Sequence, residues 1–177
     1  MKKYFTTAQI CTDGHIINGS IEDNPELNKK FCPVCSLPVI SKCEYCNTDI
    51  QGNYCCDEVN HDWLHNEYVN DKSTIHKISV APAYCHECGK PFPWTETRLK
   101  YACDIIDMLD ELSVEQKKQL KELLPDIIVE SPRSEYAALI TGKFIKCVTG
   151  LGYDCFKSWL LKNAIPLCIT LLNLKNQ

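Results

Sequence analysis

Four pairs of metal-ligating side chains are spaced along the first half of this chain. Three of them are Cys-x-x-Cys motifs, and the first is a Cys-x-x-Gly-His motif. A tetrahedral zinc ion takes four thiolate or imidazole ligands, so eight such ligands suit two ions. We therefore predict two zinc ions per chain. The pairs are Cys11/His15, Cys32/Cys35, Cys43/Cys46 and Cys85/Cys88.

The cysteine content suits a reducing compartment. The chain has 177 residues and 13 cysteines, and no apolar run follows Lys2 and Lys3, so we expect no signal peptide and a cytoplasmic location. The longest apolar stretch, residues 160–174, is too short for a bilayer span and contains Lys162 and Pro166. In the cytoplasm such cysteine spacing favours metal over disulfides. Cys₄ sites accept iron as well as zinc, and the sequence leaves that choice open.

Two halves of the chain follow different patterns, which predicts an α+β protein with two domains. Residues 1–94 consist of short β-like runs broken by turn residues, and we predict a small double zinc ribbon with an excursion at about 53–80. Residues 95–177 show helical periodicity, and we predict an all-α bundle of about four helices. At the boundary, Phe92 and Trp94 are expected to pack against the helices.

Helix-capping residues, prolines and glycines predict where the helices begin and end. Thr95 is a candidate N-cap for a helix over about residues 96–112. Ser113 and Gln116 form a candidate capping box for the second helix, which Pro125 is expected to end. The third is expected to run from about residue 131 to the glycines at 150 and 152. The fourth spans about residues 153–173, with a break before Pro166.

The four ligand pairs combine into two sites in one of two ways. The second and fourth pairs share a preceding aromatic residue, Phe31 or Tyr84. An aromatic residue before the second knuckle is common in zinc ribbons, where it covers the apolar side of the metal. This favours tandem pairing over the cross-braced alternative, which joins pairs one and three and pairs two and four. In tandem, site 1 consists of Cys11, His15, Cys32 and Cys35, and site 2 consists of Cys43, Cys46, Cys85 and Cys88.

The motifs around these ligands resemble an uncharacterised bacterial family of double zinc-ribbon proteins with helical C-terminal regions. The resemblance covers about residues 7–96 and implies two zinc sites and a bacterial or phage origin, but no activity. This chain departs from it by the long excursion between Cys46 and Cys85. The matching stretches are Thr-Ala-Gln-Ile-Cys-Thr-Asp-Gly-His at 7–15, Lys-Phe-Cys-Pro-Val-Cys at 30–35, Cys-Glu-Tyr-Cys-Asn at 43–47, Ile-Gln-Gly at 50–52, and Pro-Ala-Tyr-Cys-His-Glu-Cys-Gly-Lys-Pro-Phe-Pro-Trp-Thr-Glu at 82–96.

Both sites are expected to be structural. When protein side chains fill all four positions, the metal has no open position at which to activate water. The excursion offers Cys56, His61 and His65 as a third metal site or an open hydrolytic one. The simpler interpretation is an exposed loop whose Trp63 and Tyr68 pack inward.

The other cysteines and the lysines of the helical half have ordinary explanations. Cys103, Cys147, Cys155 and Cys168 are isolated, and we expect them to be small core residues. Residues 136–177 contain five lysines and one acid, which makes Lys143 and Lys146 candidates for binding a phosphate backbone. A solvated helix face is the simpler interpretation. Residues 1–94 hold 8 lysines against 12 acids, the wrong sign for unspecific nucleic-acid binding.

No enzyme signature is present among the motifs, so we expect a protein that is not an enzyme. The leading hypothesis is a protein-interaction adaptor, in which a rigid double ribbon presents a binding surface to an unknown protein. The apolar last helix suggests that the helical domain self-associates into a homo-oligomer or docks a partner. The alternative is a nucleic-acid-binding regulatory or phage-defence-linked protein, and no membrane association is expected.

Overall fold

The computed structural model describes residues 2–62 and 67–172, and their side chains except at 2, 57–62 and 67–73. It divides into two compact units, residues 1–95 and 96–177. The first contains small antiparallel sheets and the second contains helices, which confirms the predicted α+β class.

In the described part of the N-terminal unit, six strands form two three-stranded antiparallel sheets. The metal-binding sheet has the order β3–β2–β4, with β2 at Gln9–Cys11, β3 at Ile16–Asn18 and β4 at Val39–Ile40. The second sheet has the order β1–β5–β6, with β1 at Lys2–Thr7, β5 at Gln51–Asp62 and β6 at Glu67–His76. A short 3₁₀ helix lies at Pro25–Leu27.

The long β5–β6 hairpin corrects the expectation that residues 53–80 form an exposed loop. Its strands lack the apolar–polar alternation from which a strand is normally predicted. Strand β5 forms because it pairs with β1, where Phe5 lies opposite Tyr54 and Tyr4 lies opposite Cys55. Strand formation here depends on cross-strand neighbours more than on the local sequence.

Two glycines let the sheets approach each other closely. A Cβ at Gly52 would lie 2.1 Å from the carbonyl oxygen of Gly19, which real side chains never do. The Thr6 hydroxyl donates to that same carbonyl at 2.6 Å, and the Asn53 N–H donates to Thr6 Oγ1 at 2.9 Å. This backbone contact ties β1 and β5 to the turn after β3.

The apolar core of the N-terminal unit is small. Trp94 donates from its indole N–H to the Pro82 carbonyl at 2.8 Å, and its ring stacks on Phe92 at 4.8 Å. These two aromatics belong to this core, which corrects the expectation that they pack against the helices. Two metal-site cysteines are themselves core members, so there is little other apolar material. The buried residues are Ala8, Ile10, Cys43, Ile50, Cys85, Phe92 and Trp94.

Within the described residues up to 172, five α-helices follow, and several boundaries differ from the sequence prediction. They are α1 at Pro93–Asp107, α2 at Val114–Ile128, α3 at Ser134–Ile145, α4 at Gly150–Asn163 and α5 at Pro166–Leu171. The chain breaks before Pro166 as predicted. Helix α1 begins two residues before its predicted cap, Thr95.

The capping box of α2 is present, but Pro125 does not end the helix. The Gln116 N–H donates to Ser113 Oγ at 3.2 Å, and the Ser113 N–H donates to Gln116 Oε1 at 2.8 Å. The helix continues through Pro125 to Ile128. A proline inside a helix costs about 3 kcal/mol. Complete burial of Leu124 and Ile127 on either side offsets this cost.

The glycines at 150 and 152 begin α4; they were expected to end α3. Gly150 has a φ of +74°, which places it at the helix start in a conformation that favours glycine. A Cβ at Gly152 would lie 3.0 Å from Leu109 Cδ2. Its small size lets α4 pack close to the end of α1.

The helical unit has a much larger apolar core than the N-terminal unit. Helix α4 contributes Phe156, Trp159 and Leu160, all nearly or completely buried, and α5 contributes Cys168. Part of the apolar last segment that suggested an interface is therefore used inside the bundle, while its Leu161, Leu167 and Leu171 remain exposed. None of the described helices combines the length and the apolar character needed to cross a membrane.

Candidate metal centres

The structure brings the eight predicted ligands together in two groups of four. Within each group, one ligand atom from every residue lies within 4.8 Å of the others. The grouping is tandem: pair one meets pair two, and pair three meets pair four. We keep the names site 1 for Cys11, His15, Cys32 and Cys35 and site 2 for Cys43, Cys46, Cys85 and Cys88.

The interatomic distances at both sites fit a tetrahedral ion. Zn–S bonds of about 2.3 Å and Zn–N bonds of about 2.0–2.1 Å place S···S at about 3.8 Å and S···N at about 3.6 Å. At site 1, Cys11 Sγ lies 3.7 Å from Cys35 Sγ and 3.4 Å from His15 Nδ1. At site 2, Cys43 Sγ lies 3.8 Å from Cys88 Sγ, and Cys46 Sγ lies 3.6 Å from Cys85 Sγ. These separations are far from the roughly 2 Å of a disulfide.

The three Cys-x-x-Cys knuckles share one backbone geometry. In each, the N–H of the first cysteine donates to the carbonyl five residues on, at 2.8 Å. The N–H of the residue after the second cysteine donates back to the first cysteine's carbonyl, at 2.9 Å. That residue has a positive φ: Ser36 at 61°, Asn47 at 62° and Gly89 at 67°.

The bases of the knuckles are closed by isolated β-bridges, which explains how local sequence positions the sulfurs. Phe31 bridges Pro38, Lys42 bridges Asp49, and Tyr84 bridges Pro91. Each knuckle is thus a miniature hairpin with its two cysteines in the turn. The Lys42–Asp49 bridge also carries an exposed ion pair at 3.3 Å, which contributes little by itself.

The first ligand pair is built differently, on the turn between β2 and β3. The Gly14 N–H donates to the Cys11 carbonyl at 2.8 Å, and Gly14 has a φ of +91°. The His15 N–H donates to Cys11 Sγ at 3.2 Å. The turn aims His15 Nδ1 at the sulfurs, with Cys32 Sγ at 3.7 Å. Glycine at position 14 is what permits the tight return.

Backbone donors and crowded sulfurs give the site 1 thiols unequal proton affinities. Burial raises the pKa of Cys32, but N–H groups of Cys35 and Val34 outweigh it and lower the pKa to about 7. At Cys35, the Leu37 N–H lowers the pKa, but burial and the neighbouring sulfurs of Cys32 and Cys11 raise it to about 11. A divalent ion removes this competition by replacing the shared protons.

Site 2 shows the same division. Hydrogen bonds with the Thr48 hydroxyl and N–H lower the pKa of Cys46 to about 6. At Cys88 the Lys90 N–H lowers the pKa, but burial and the sulfurs of Cys46, Cys85 and Cys43 raise it to about 12. The first cysteine of each knuckle, Cys43 or Cys85, is buried, and the second is more exposed. Each site therefore lies at the surface with its base in the core.

Other sequence-predicted residues divide between described and undescribed parts of the chain. His65 lies outside the described residues and the side chain of His61 is not described, so the third metal site remains a prediction. Cys56 is partly buried, and its hydrogen bond to Tyr54 raises the pKa of the phenol. His86, between the two cysteines of the fourth knuckle, is exposed.

The isolated cysteines are not all core residues. Cys168 is buried and Cys103 is half-buried, and burial raises the pKa of both thiols. Cys147 and Cys155 are exposed, which corrects the expectation that all four lie in the core. Cys147 lies just after the end of α3, and Cys155 lies on an exposed side of α4. At such positions the apolar periodicity of the sequence alone does not separate an interior residue from an exterior one. Lys143 and Lys146 are exposed at the C-terminal end of α3.

Two surface features were missed by sequence reasoning. One is a cluster of exposed apolar residues close together in sequence around the second knuckle, two of which are directly next to ligands of site 1: Leu27, Phe31, Val34 and Leu37. The other is a cross-strand row of aromatic rings formed by Phe5, Tyr54 and His76. The apolar residues inside and around the second knuckle signalled the first feature. Nothing in the sequence signalled the second, because its members are up to 71 residues apart.

Comparison with protein families gives one match. A family described as an uncharacterized protein conserved in bacteria (DUF2321) matches residues 4–164 of the chain, which includes both clusters and most of the helical unit. No curated protein and no solved structure shows significant similarity to it.

Proposed function

This chain belongs to that uncharacterised bacterial family, and on that premise we propose that it is a non-enzymatic adaptor whose two metal sites are structural zinc sites. The adaptor presents a protein-binding surface on its metal-stabilised unit. Its helical unit mediates self-association or docks a partner. The proposed location is the cytoplasm, where the thiols stay reduced and available to metal.

The filled coordination of both sites supports a structural role. Each cluster offers four side-chain ligands at tetrahedral spacing, which leaves no position for a reacting water. Metal also compensates for the small apolar core of the N-terminal unit. Zinc suits mixed His/Cys and all-Cys sets equally well. Iron in site 2 is the alternative, and the absorbance of purified protein distinguishes them because ferric thiolate sites are coloured.

The observation that carries the adaptor proposal is the exposed apolar cluster beside site 1. Phe31 is 62% exposed and Val34 is 74% exposed, and Leu27 and Leu37 extend the same region. Small domains rarely expose several large apolar side chains together unless the surface is used. The knuckle fixes Phe31 and Val34 on a rigid turn, so binding there costs little conformational entropy.

A second apolar surface lies on the helical unit. A cavity of about 320 Å³ opens between α1 and α4, lined mainly by apolar atoms. Met108 and Leu151 are 71% and 80% exposed at its rim, and Tyr101 lies beside them. This surface supports the proposed role of the helical unit. It differs from the last-helix surface that the sequence suggested.

A capture experiment tests the adaptor role. Zinc-loaded full-length protein is used as bait in lysate of its host, with nuclease treatment, and is compared with Phe31→Ser/Val34→Ser. We expect one or more proteins to be retained by the wild type and lost with this variant. Leu139→Ser, at an equally exposed apolar position of α3, is the matched control and should retain them.

Light scattering tests self-association separately. We expect a species larger than the 20.2 kDa chain at micromolar concentration, and Met108→Lys/Leu151→Lys should convert it to monomer. A wild-type monomer would contradict self-association but would leave the proposal of partner docking intact.

In the capture experiment, protein profiles that are the same for the wild type and Phe31→Ser/Val34→Ser would contradict the proposed adaptor surface.

A further inference from the structure

Three aromatic rings from three adjacent strands lie in one row across the β1–β5–β6 sheet. Phe5 pairs with Tyr54 across β1 and β5, and Tyr54 pairs with His76 across β5 and β6. Directly paired residues project from the same face of a sheet. The Phe5 and Tyr54 ring centroids are 5.0 Å apart with planes at 46°, and those of Tyr54 and His76 are 5.9 Å apart at 31°. We name Phe5, Tyr54 and His76 the aromatic row.

The aromatic row is open to solvent. Phe5 is 49% exposed, His76 is exposed and Tyr54 is half-buried. Cross-strand aromatic contacts alone would stabilise the sheet. That role does not require two of the three rings to remain exposed to water. The rings therefore have free faces on which a planar ligand can stack.

A lysine lies on the face of the aromatic row, although the unit as a whole is acidic. Lys3 is exposed two residues before Phe5, so it shares the face of the row. Lys77 is exposed directly after His76, where the strand has ended. The segments 3–7, 53–56 and 74–77 contain these two lysines and no acidic residue, and β5 continues beyond them with Asp57.

The row is held on a fixed backbone. Beside Phe5, Thr6 bonds to Gly19 and Asn53, and the Asn53 side chain accepts from the Ile78 N–H at 3.1 Å. These bonds anchor β1, β5 and the end of β6 just below the three rings. Because the rings are already ordered, a ligand that binds to them incurs little further loss of conformational entropy.

From this arrangement we infer that the aromatic row is a binding site for single-stranded nucleic acid. Bases stack on Phe5 and Tyr54, with His76 extending the platform, and Lys3 on the same face neutralises a backbone phosphate. Sheets with exposed aromatic side chains bind unpaired bases in this way, because every base has a face that can stack. The function goes beyond the adaptor role and uses a different surface from the one beside site 1.

Single strands fit this site better than duplexes or proteins do. In a duplex the base faces are already stacked on one another and cannot reach a ring. Lys3 matches a phosphate, whereas an apolar protein surface would not be expected to select a row of rings beside a cation. The segments contain few positive charges, so binding depends more on stacking than on counterion release.

Fluorescence anisotropy with the zinc-loaded full-length protein tests the inference. The probes are labelled oligo(dT) and oligo(rU) of about 12 nucleotides and a duplex of equal length. We expect the single strands to bind at least about fivefold more tightly than the duplex, and Phe5→Leu or Tyr54→Leu to weaken them at least about fivefold. Between about 50 and about 200 mM salt, the affinity should fall less steeply than for an interface with many phosphate contacts.

Matched variants separate stacking from other effects. Tyr54→Phe keeps the ring and should bind as well as the wild type. Tyr136→Leu removes an equally exposed ring from α3 and should have no effect. Lys143→Glu/Lys146→Glu tests the other basic surface and should also leave binding unchanged. Equal affinity for duplex and single strand, or equal binding by Tyr54→Leu and the wild type, would overturn the inference.

A measurement on the wild type covers the case in which Phe5→Leu or Tyr54→Leu disturbs folding. Zinc content and circular dichroism identify such a case. Oligonucleotides that carry 4-thiouracil are then photocrosslinked to unaltered protein, and the adducts are mapped by mass spectrometry. Crosslinks to peptides containing Phe5, Tyr54 or His76 support the site. Crosslinks only elsewhere, or none, refute it.

Discussion

At the scale of single residues, one backbone conformation recurs at every metal knuckle. The residue after the second cysteine is Ser36, Asn47 or Gly89, and each has a φ near +60°. Glycine adopts this conformation freely and asparagine tolerates it. Serine is the least suited of the three. The knuckle of site 1 therefore stores strain that the other two largely avoid.

We predict that Ser36→Gly stabilises the zinc-loaded protein by about 0.5–1 kcal/mol, since relief of left-handed strain exceeds the entropy that glycine adds to the unfolded chain. Denaturant unfolding followed by circular dichroism measures the change. Gly89→Ala is the reciprocal control, because its Cβ would meet no atom within 4 Å yet its φ is +67°. It should destabilise the protein. A Ser36→Gly protein less stable than the wild type would contradict the strain argument.

At the scale of secondary-structure elements, each knuckle behaves as a unit that contributes two sulfurs. Its bridge, its two backbone hydrogen bonds and its positive φ are all local to about eight residues. Two such units must meet before four ligands surround an ion. Loss of one ligand should therefore empty one site and spare the other.

Metal stoichiometry checks this expectation. Native mass spectrometry should find two zinc ions per wild-type chain and one in Cys85→Ser or in Cys32→Ser, because three ligands hold the ion far less tightly. Cys56→Ser/His61→Ala should still bind two. A count of one for this last variant would show that the β5–β6 hairpin carries a metal after all.

The start of α4 is stabilised by a carboxylate from the segment after α1. Glu111 Oε1 accepts from the Thr149 N–H at 3.1 Å and from its hydroxyl at 3.2 Å. Hydrogen bonds from the Glu111 N–H and then from Thr149 lower the pKa of this carboxyl below 4.5. Thr149 makes no side-chain cap of its own, so Glu111 provides the acceptor that the helix end needs.

We predict that Glu111→Gln lowers the thermal unfolding midpoint of the helical signal at neutral pH. A depressed folded-state pKa means that the ionised carboxylate stabilises the fold above the unfolded pKa near 4.5. The contribution disappears as the pH falls through the lower folded-state value. The difference between the wild type and the variant should therefore shrink on acidification. Glu130→Gln, at an exposed loop position, should show no such difference at any pH.

At the scale of the whole molecule, the two units differ in the size of their apolar cores. Among the described residues, the buried apolar cluster of the helical unit has twenty members, whereas that of the N-terminal unit has seven, two of which are cysteines of site 2. A structural zinc ion contributes about 10–16 kcal/mol, comparable with the entire stability of a small domain. We therefore predict that the N-terminal unit depends on metal and that the helical unit does not.

Removal of metal should unfold one unit and spare the other. We expect a strong chelator to leave most of the helical circular dichroism signal while the emission of Trp94 shifts to the red, because this ring is buried in the N-terminal core. Trp63→Phe/Trp159→Phe isolates that reporter. Trp63→Phe/Trp94→Phe leaves Trp159 in the helical core, whose emission should stay unchanged. An unshifted Trp94 signal would contradict metal dependence.

The metal centres were predictable because their geometry is local. A Cys-x-x-Cys turn closes within its own residues, and the spacing and lead-in aromatics at Phe31 and Tyr84 favoured the tandem grouping that the structure has. The capping box at Ser113 was predictable for the same reason. The Pro125 boundary was not, because burial of Leu124 and Ile127 overrides a local preference.

The sequence by itself determined the ligand clusters, the two-part organisation and the α+β class, since each follows from spacing or periodicity over a few residues. Only the tertiary structure decided which residues distant along the chain pair with one another. The pairing of Phe5 with Tyr54 and His76 made the excursion a hairpin and aligned three rings. Strand partners are chosen by long-range contacts, and no local pattern encodes them.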